Sequence, residues 1–158
     1  IAAKPLDAHL MIVHPEKYVD RFAKVGVQML SFHLNAVDNA GQVLAQIRAA
    51  GMSPGLAINP DIPVEKLFPY LDQCDYVVLM SVFAGFGGQK FIEATYNRVE
   101  TLKAEIERQG VECLIQVDGG VSAANSAKLA ELGADILVAG SAVFKADDPQ
   151  AVIAEMKA

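Results

Sequence analysis

The chain has no tryptophan, only two cysteines and a charged fraction of 20%. Cys74 and Cys113 stand alone, without CxxC or Cys/His spacing, which excludes a disulfide framework and a thiolate zinc module and leaves two buried thiols in a reduced intracellular enzyme as the expectation. No run of Lys and Arg interrupts a formal charge of −6, so a grip on the phosphate backbone of nucleic acid is not expected. The longest apolar run, around Tyr76 to Met80, falls far short of the roughly 20 residues of a membrane span. The start Ile1-Ala2-Ala3-Lys4 does not read as a signal peptide, and a cytoplasmic location with no membrane partner follows as the expectation.

What is present is apolar: 53% of 158 residues are hydrophobic, enough for one core and one domain over residues 1–158. Six short runs rich in β-formers can be picked out, at Leu6 to Met11, Met29 to His33, Ser53 to Ile58, Tyr76 to Met80, Leu114 to Val117 and Ile136 to Ala139. Each reads as a strand buried on both faces, with helical segments between them. Pro15 suits a helix's first turn and Gly26 its end, Leu44, Ile47 and Arg48 continue a helical period before Gly51, and Val99 to Arg108 and Ala123 to Leu132 stop at Gly110 and Gly133. This alternation predicts an α/β fold with a parallel sheet. Periodicity alone leaves two forms open, a doubly wound open sheet and an incomplete TIM (β/α)8 barrel represented by about six βα units, since a closed barrel needs about 200 residues or more.

In a parallel barrel, chemistry sits where the strands end. Asp118 ends the run Leu114-Ile115-Gln116-Val117, and an ionised carboxylate at the rim of an apolar wall calls for a cation, a basic group or substrate hydroxyls; capping a helix near Ser122 is the bland alternative. Alternation points His9 away from Ala8 and Leu10, where an imidazole can serve as a divalent-metal ligand or as an ordinary core histidine. His33 is similar but has no neighbouring metal-like spacing, and His14, before Pro15, reads as surface loop. Three glycine clusters follow strands: Gly85-Phe86-Gly87-Gly88, Gly119-Gly120 and Gly140-Ser141. Glycine lets several backbone N–H groups approach one anion, and clusters after the last two strands match the usual barrel phosphate site.

Together these segments resemble the ribulose-phosphate 3-epimerase family. The matching stretches are Lys4-Pro5-Leu6-Asp7-Ala8-His9-Leu10-Met11, Leu79-Met80-Ser81-Val82 with Gly85 to Ile92, Gln116-Val117-Asp118-Gly119-Gly120-Val121, and Val138 to Phe144. The resemblance implies a ribulose-phosphate-binding barrel that interconverts D-ribulose 5-phosphate and D-xylulose 5-phosphate at C3, through an enediolate stabilised by a divalent metal. That metal is usually zinc in the family, with Fe2+, Mn2+ or Co2+ as alternatives. By position it makes Asp118 a catalytic acid/base and metal ligand, His9 a metal ligand, and Met11 and Met80 walls of the substrate centre. It assigns Gly85, Phe86, Gly87, Gly88, Gly119, Gly120, Gly140 and Ser141 to the phosphate and its covering loop. A ketopentose phosphate substrate and a homo-oligomer are the partners implied.

Three departures accompany the match. A substrate-contacting Ser, a second His ligand and the opposing catalytic Asp precede the family segment with which Ile1 aligns, so the 158-residue chain alone is expected to be inactive. Phe83-Ala84 stands where Asn-Pro is usual, and Asn35 where a Glu is common. A hexulose-6-phosphate (allulose 6-phosphate) 3-epimerase and a non-catalytic sugar-phosphate-binding domain are the competing expectations.

Overall fold

The computed structural model describes residues 3–85 and 88–157. Six parallel strands form one sheet: β1 (Asp7–Leu10), β2 (Met29–His33), β3 (Ser53–Ile58), β4 (Tyr76–Met80), β5 (Leu114–Asp118) and β6 (Ile136–Val138). Their order in space is their order in sequence, from β1 to β6. A doubly wound sheet reverses its order at a switch point; this one never does, and its six strands form a partial (β/α) barrel.

Strand alternation divides the apolar residues into two cores. Leu30, Phe32, Leu56, Ile58, Val77, Leu79, Ile115 and Val117 leave the outer face, where they pack with helix residues Val43, Leu44, Ile47, Val99, Leu102 and Leu129. Residues one place away, Ala57, Tyr76, Val78, Met80 and Val82, fill the inner face as a second cluster. The outer layer contains α1 (Val19–Lys24), α2 (Ala40–Ala49), α3 (Ala94–Gln109) and α4 (Ala123–Glu131), followed by α5 (Ser141–Phe144) and α6 (Pro149–Met156). α3 begins five residues earlier than its strongest periodicity suggests and stops at Gly110, whose φ of 66° lets its N–H turn back to the Ile106 and Glu107 carbonyls. α6 goes unread in the sequence although its signals are ordinary: Pro149 in the first turn, and Asp148 accepting from the Ala151 N–H at 3.0 Å.

Three expectations need correction. The β3–β4 connection carries no α-helix; it makes two 3-10 turns, Val64–Lys66 and Phe68–Tyr70, because Pro60, Pro63 and Pro69 remove the N–H groups a continuous helix would need. Pro15 opens another 3-10 turn, Pro15–Lys17, and α1 starts only at Val19. Burial on both faces holds for β2, β3 and β4, but β1 and β6 are only partly covered. Each of these outer strands has one neighbour, so the barrel interior opens beside them; Met11 and Val13 past β1 are 44% and 74% exposed, and Phe144 past β6 is 86% exposed. A wide apolar hollow of about 630 Å³ lies against β6, between Ile136, Leu137, Phe144, Ile153 and Met156.

The inner core is set by one large ring. Tyr76 is fully buried with its hydroxyl donating to Asp7 Oδ1 at 3.0 Å, and Gly55, its register partner on β3, leaves the space its ring occupies. A Cβ on Gly55 would fall within 2.6 Å of Tyr76 Cε2, closer than real carbons approach. Gly55→Ala is therefore expected to cost roughly 1–3 kcal/mol in urea unfolding, as overpacking does. Gly55→Ala in a Tyr76→Leu background should cost measurably less; equal costs in both backgrounds would show that the ring is not what Gly55 accommodates.

Candidate functional site

Asp118 is the last residue of β5, in register with Met80 on β4 and Val138 on β6. Its position at the strand end keeps the carboxylate at the barrel mouth, where the side chain is 23% exposed. Ser81, just past β4, fastens this corner by donating its hydroxyl to the Gly119 carbonyl at 2.5 Å, within reach also of the Asp118 carbonyl at 3.0 Å. The carboxylate does not cap α4: the capping box there is Ser122 with Asn125, whose side chain accepts from the Ser122 N–H at 2.9 Å.

His9 projects inward from β1, as alternation required, and its side chain is only 10% exposed. Its Nδ1 lies 3.5 Å from Asp118 Oδ2, and its Nε2 lies 3.0 Å from Nε2 of His33. His33, at the end of β2, is buried, and the two rings are nearly parallel at 18°. The Nδ1 atoms of both histidines are buried and make no hydrogen bond. Burial, reinforced by His9 and opposed by Asp118, pulls the His33 pKa down to about 4, so its ring is neutral near pH 7. His33 had no signal in linear spacing; only the pairing of β1 with β2 brings it against His9. His14 is the surface residue the sequence suggested, 64% exposed and 3.4 Å from Glu16.

The pair His9 Nδ1 and Asp118 Oδ2 fits a shared divalent cation better than a direct hydrogen bond. A good N–H···O bond spans 2.7–3.2 Å. Two ligands at about 2.0–2.1 Å on a tetrahedral zinc stand about 3.4 Å apart, close to the 3.5 Å found here. Among the described residues no group of three or more His, Cys, Asp or Glu that could hold a metal ion is present, and His9 with Asp118 makes a pair.

Beside Asp118 lies a cavity of about 230 Å³ that gathers Met11, Met80, Gly85, Gly88, Asp118, Gly119, Gly120, Gly140 and Ser141. Val82, Phe83, Ala84, Gln89 and Val138, which lie in or beside the segments that carry the resemblance, complete its wall. Phe86 and Gly87 lie outside the described residues. Gly140 and Ser141 stand at the start of α5, whose first N–H groups have no acceptor within the helix. Gly119 and Gly120 have φ of 120° and 63°, and a Cβ on Gly120 would come within 2.8 Å of the Phe91 nitrogen. Close packing against Val82 and Phe91 thus demands these glycines independently of any ligand. Asn59 steadies the loop over the cavity by accepting from the Ala84 N–H at 3.2 Å, a group that a proline at this position would lack, and Gln89 donates to the Phe83 carbonyl at 2.7 Å. Arg98, on α3, reaches under the same corner to donate to the carbonyls of Met80, Asn59 and Ile62. A second hollow of about 370 Å³, lined by His14, Glu16, Asp38 and Gln42 among others, contains none of these groups.

The family model described as "Ribulose-phosphate 3 epimerase family" matches residues 1–144. The chain is 41% identical over 159 residues to the ribulose-phosphate 3-epimerase of Synechocystis, covering 99% of this chain and 69% of that protein. It is 39% identical to the Bacillus subtilis ribulose-phosphate 3-epimerase, covering 97% of this chain and 71% of that one. Against the chloroplastic ribulose-5-phosphate-3-epimerase of Arabidopsis thaliana the identity is 42%, over 98% of this chain and 56% of the plant protein. In fold alone it is similar to 3-hexulose-6-phosphate synthase from Salmonella typhimurium, with a TM-score of 0.67, 18% identity, and coverage of 95% of this chain and 69% of that one. The mutant tryptophan synthase alpha-subunit of Pyrococcus furiosus gives a TM-score of 0.64 at 22% identity, over 90% of this chain and 57% of that one. With the family model spanning nearly the whole chain and such identity to curated relatives, this chain belongs to the ribulose-phosphate 3-epimerase family.

Proposed function

We propose that this chain carries the phosphate-holding side and one acid/base group of an enzyme that interconverts D-ribulose 5-phosphate and D-xylulose 5-phosphate at C3. The observation that supports this reading most is Asp118 at the wall of the cavity, with Nδ1 of His9, which makes no hydrogen bond, at 3.5 Å. A carboxylate there is placed to accept the C3 hydrogen as a proton, leaving the electron pair in the C2–C3 bond of a planar enediolate. Return of a proton to the opposite face completes the inversion and takes a second acid, since Asp118 is the sole carboxylate among the described residues of the cavity wall.

His9 Nδ1 and Asp118 Oδ2 would hold a divalent cation, zinc by the habit of the family, which when bound supplies positive charge where negative charge develops on the substrate oxygens. The chain's own groups do the rest. Met11 and Met80 present apolar surface at the reacting centre, restricting water. Backbone amides around Gly88, Gly119, Gly120, Gly140 and Ser141 suit the 5-phosphate, with the start of α5 adding its unpaired N–H groups. Ala84, whose N–H donates to Asn59, and Gln89, which donates to Phe83, belong to the loop that would cover the sugar.

Asp118→Asn removes the proton acceptor without touching the amide-lined end of the cavity. In the complete protein, assayed in deuterated water with ribulose 5-phosphate, deuterium entry at C3 is expected to fall about 10²–10⁴-fold, with affinity for the sugar phosphate largely kept. Exchange at the parent rate would remove Asp118 from the acid/base role; ribulose 5-phosphate binding with no C3 exchange in the parent would make this a sugar-phosphate-binding domain. Offering hexulose 6-phosphates in the same assay reads substrate size directly.

His9→Ala is expected to reduce the zinc retained after dialysis, measured by elemental analysis, because one of two converging donors is gone. Equal zinc in variant and parent would leave His9 as a core histidine.

A further inference from the structure

We propose that His33 is a positioning residue for the cation site, because it accepts the Nε2 hydrogen of His9 and so keeps the His9 Nδ1 lone pair turned toward Asp118 and free to bind metal. This inference rests on the cation reading of the His9–Asp118 pair given above.

The argument begins with counting hydrogens. The two Nε2 atoms are 3.0 Å apart, a hydrogen-bond distance at which one of them carries a hydrogen and the other does not. Two arrangements satisfy this. If His9 donates, its single hydrogen is on Nε2, its Nδ1 carries a lone pair beside Asp118 Oδ2 at 3.5 Å, and His33 carries its own hydrogen on Nδ1, a buried atom that makes no hydrogen bond in the chain. If His33 donates, the hydrogen of His9 must sit on Nδ1, between the ring and the carboxylate, and no cation can take that nitrogen. A cation shared with Asp118 therefore requires the first arrangement, and His33 is the group that makes it available.

Among the described residues, His33 is the partner that Nε2 of His9 meets. His9 is 10% exposed at its side chain and His33 is buried, so water does not readily replace the partner. His33 is held by its place at the end of β2, paired with Ala57 of β3, immediately before the 3-10 turn Leu34–Ala36. With His33 replaced by an apolar group, the Nε2–H of His9 would be buried without an acceptor, and the ring would gain by moving its hydrogen to Nδ1, facing the carboxylate.

The test is a zinc titration by calorimetry on the parent, His33→Leu and His33→Gln, with ¹⁵N NMR of the histidines in the zinc-loaded parent. His33→Leu should bind zinc about 10–100-fold more weakly, and His33→Gln, whose Oε1 accepts at a similar reach, should return to within about threefold of the parent. The NMR spectra should show hydrogen on Nε2 of His9 and on Nδ1 of His33. Unchanged affinity in His33→Leu, a glutamine variant that folds yet binds as weakly as the leucine one, or hydrogen on Nδ1 of zinc-bound His9 would each overturn the inference. If His33→Leu does not fold, the glutamine variant decides alone: near-parent affinity supports the role, and weakened affinity overturns it. Zinc binding that is lost in His9→Ala but unchanged in His33→Leu defeats this inference while leaving the cation reading standing; a parent that takes up no zinc defeats both.

Discussion

In a parallel strand neighbouring side chains leave on opposite faces, and this two-residue period decides what the barrel interior contains. Asp7, His9, Ser31, His33, Tyr76, Met80, Gln116 and Asp118, on four strands linked in register through Gly55 and Ala57 of β3, all share the inner parity. A slip of one residue in β1 would send His9 to the helix side and bring Leu10 against His33 instead. Register is held because the opposite parity is occupied by Leu30, Phe32, Leu56, Val77, Ile115 and Val117, all fully buried under the helices. The apolar outer core is thus what aims the polar inner residues, and the His9–Asp118 pair, the glycine loops and the histidine contact all inherit that aim.

A polar interior has to satisfy itself, and this one does so in layers. Near the strand starts, Asp7 accepts from the Tyr76 hydroxyl and from Gln116 Nε2, each at 3.0 Å, and burial together with the Asp7 charge pushes the Tyr76 phenol well above its ordinary pKa. Tyr76 therefore stays a hydrogen-bond donor across the physiological range. Near the strand ends the accounts are left open: Nδ1 of His9 and Nδ1 of His33 are buried without partners. Unsatisfied buried polar atoms cost stability, and Ser31 Oγ and Gln116 Oε1 on the same inner face are unpaired as well.

The central strands were legible because their signal is local. The bounds of β2, β3 and β4 coincide with the apolar runs, since strands flanked on both sides bury both faces and admit little else. Asp118 and the cavity glycines were legible because they stand at strand ends in recognisable groups. His33 was not, because its partner His9 is 24 residues away and meets it only through the β1–β2 register. The missing helix between β3 and β4 was a failure to weigh Pro60, Pro63 and Pro69 against a buried pattern that 3-10 turns also satisfy, since Val64, Leu67 and Leu71 are buried all the same. The outer strands were misjudged because burial is a property of neighbours, and a run of apolar residues does not say how many neighbours it has.

The glycines show why sequence can point to the right place for a mixed reason. Gly119 and Gly120 read as an anion cradle, yet their backbone angles and the approach of Val82 and Phe91 exclude a side chain even from an empty site. Gly140 differs, for a Cβ there would meet nothing within 4 Å. Packing alone thus explains the first two positions and leaves the third unexplained. Gly140 lines the cavity and precedes the first turn of α5 with a φ of −100° and a ψ of −86°, outside the ordinary helical and extended regions, so its backbone geometry rather than its neighbours favours glycine. Of the two glycine groups that follow the last strands, Gly119-Gly120 is therefore required by close packing and Gly140-Ser141 is not.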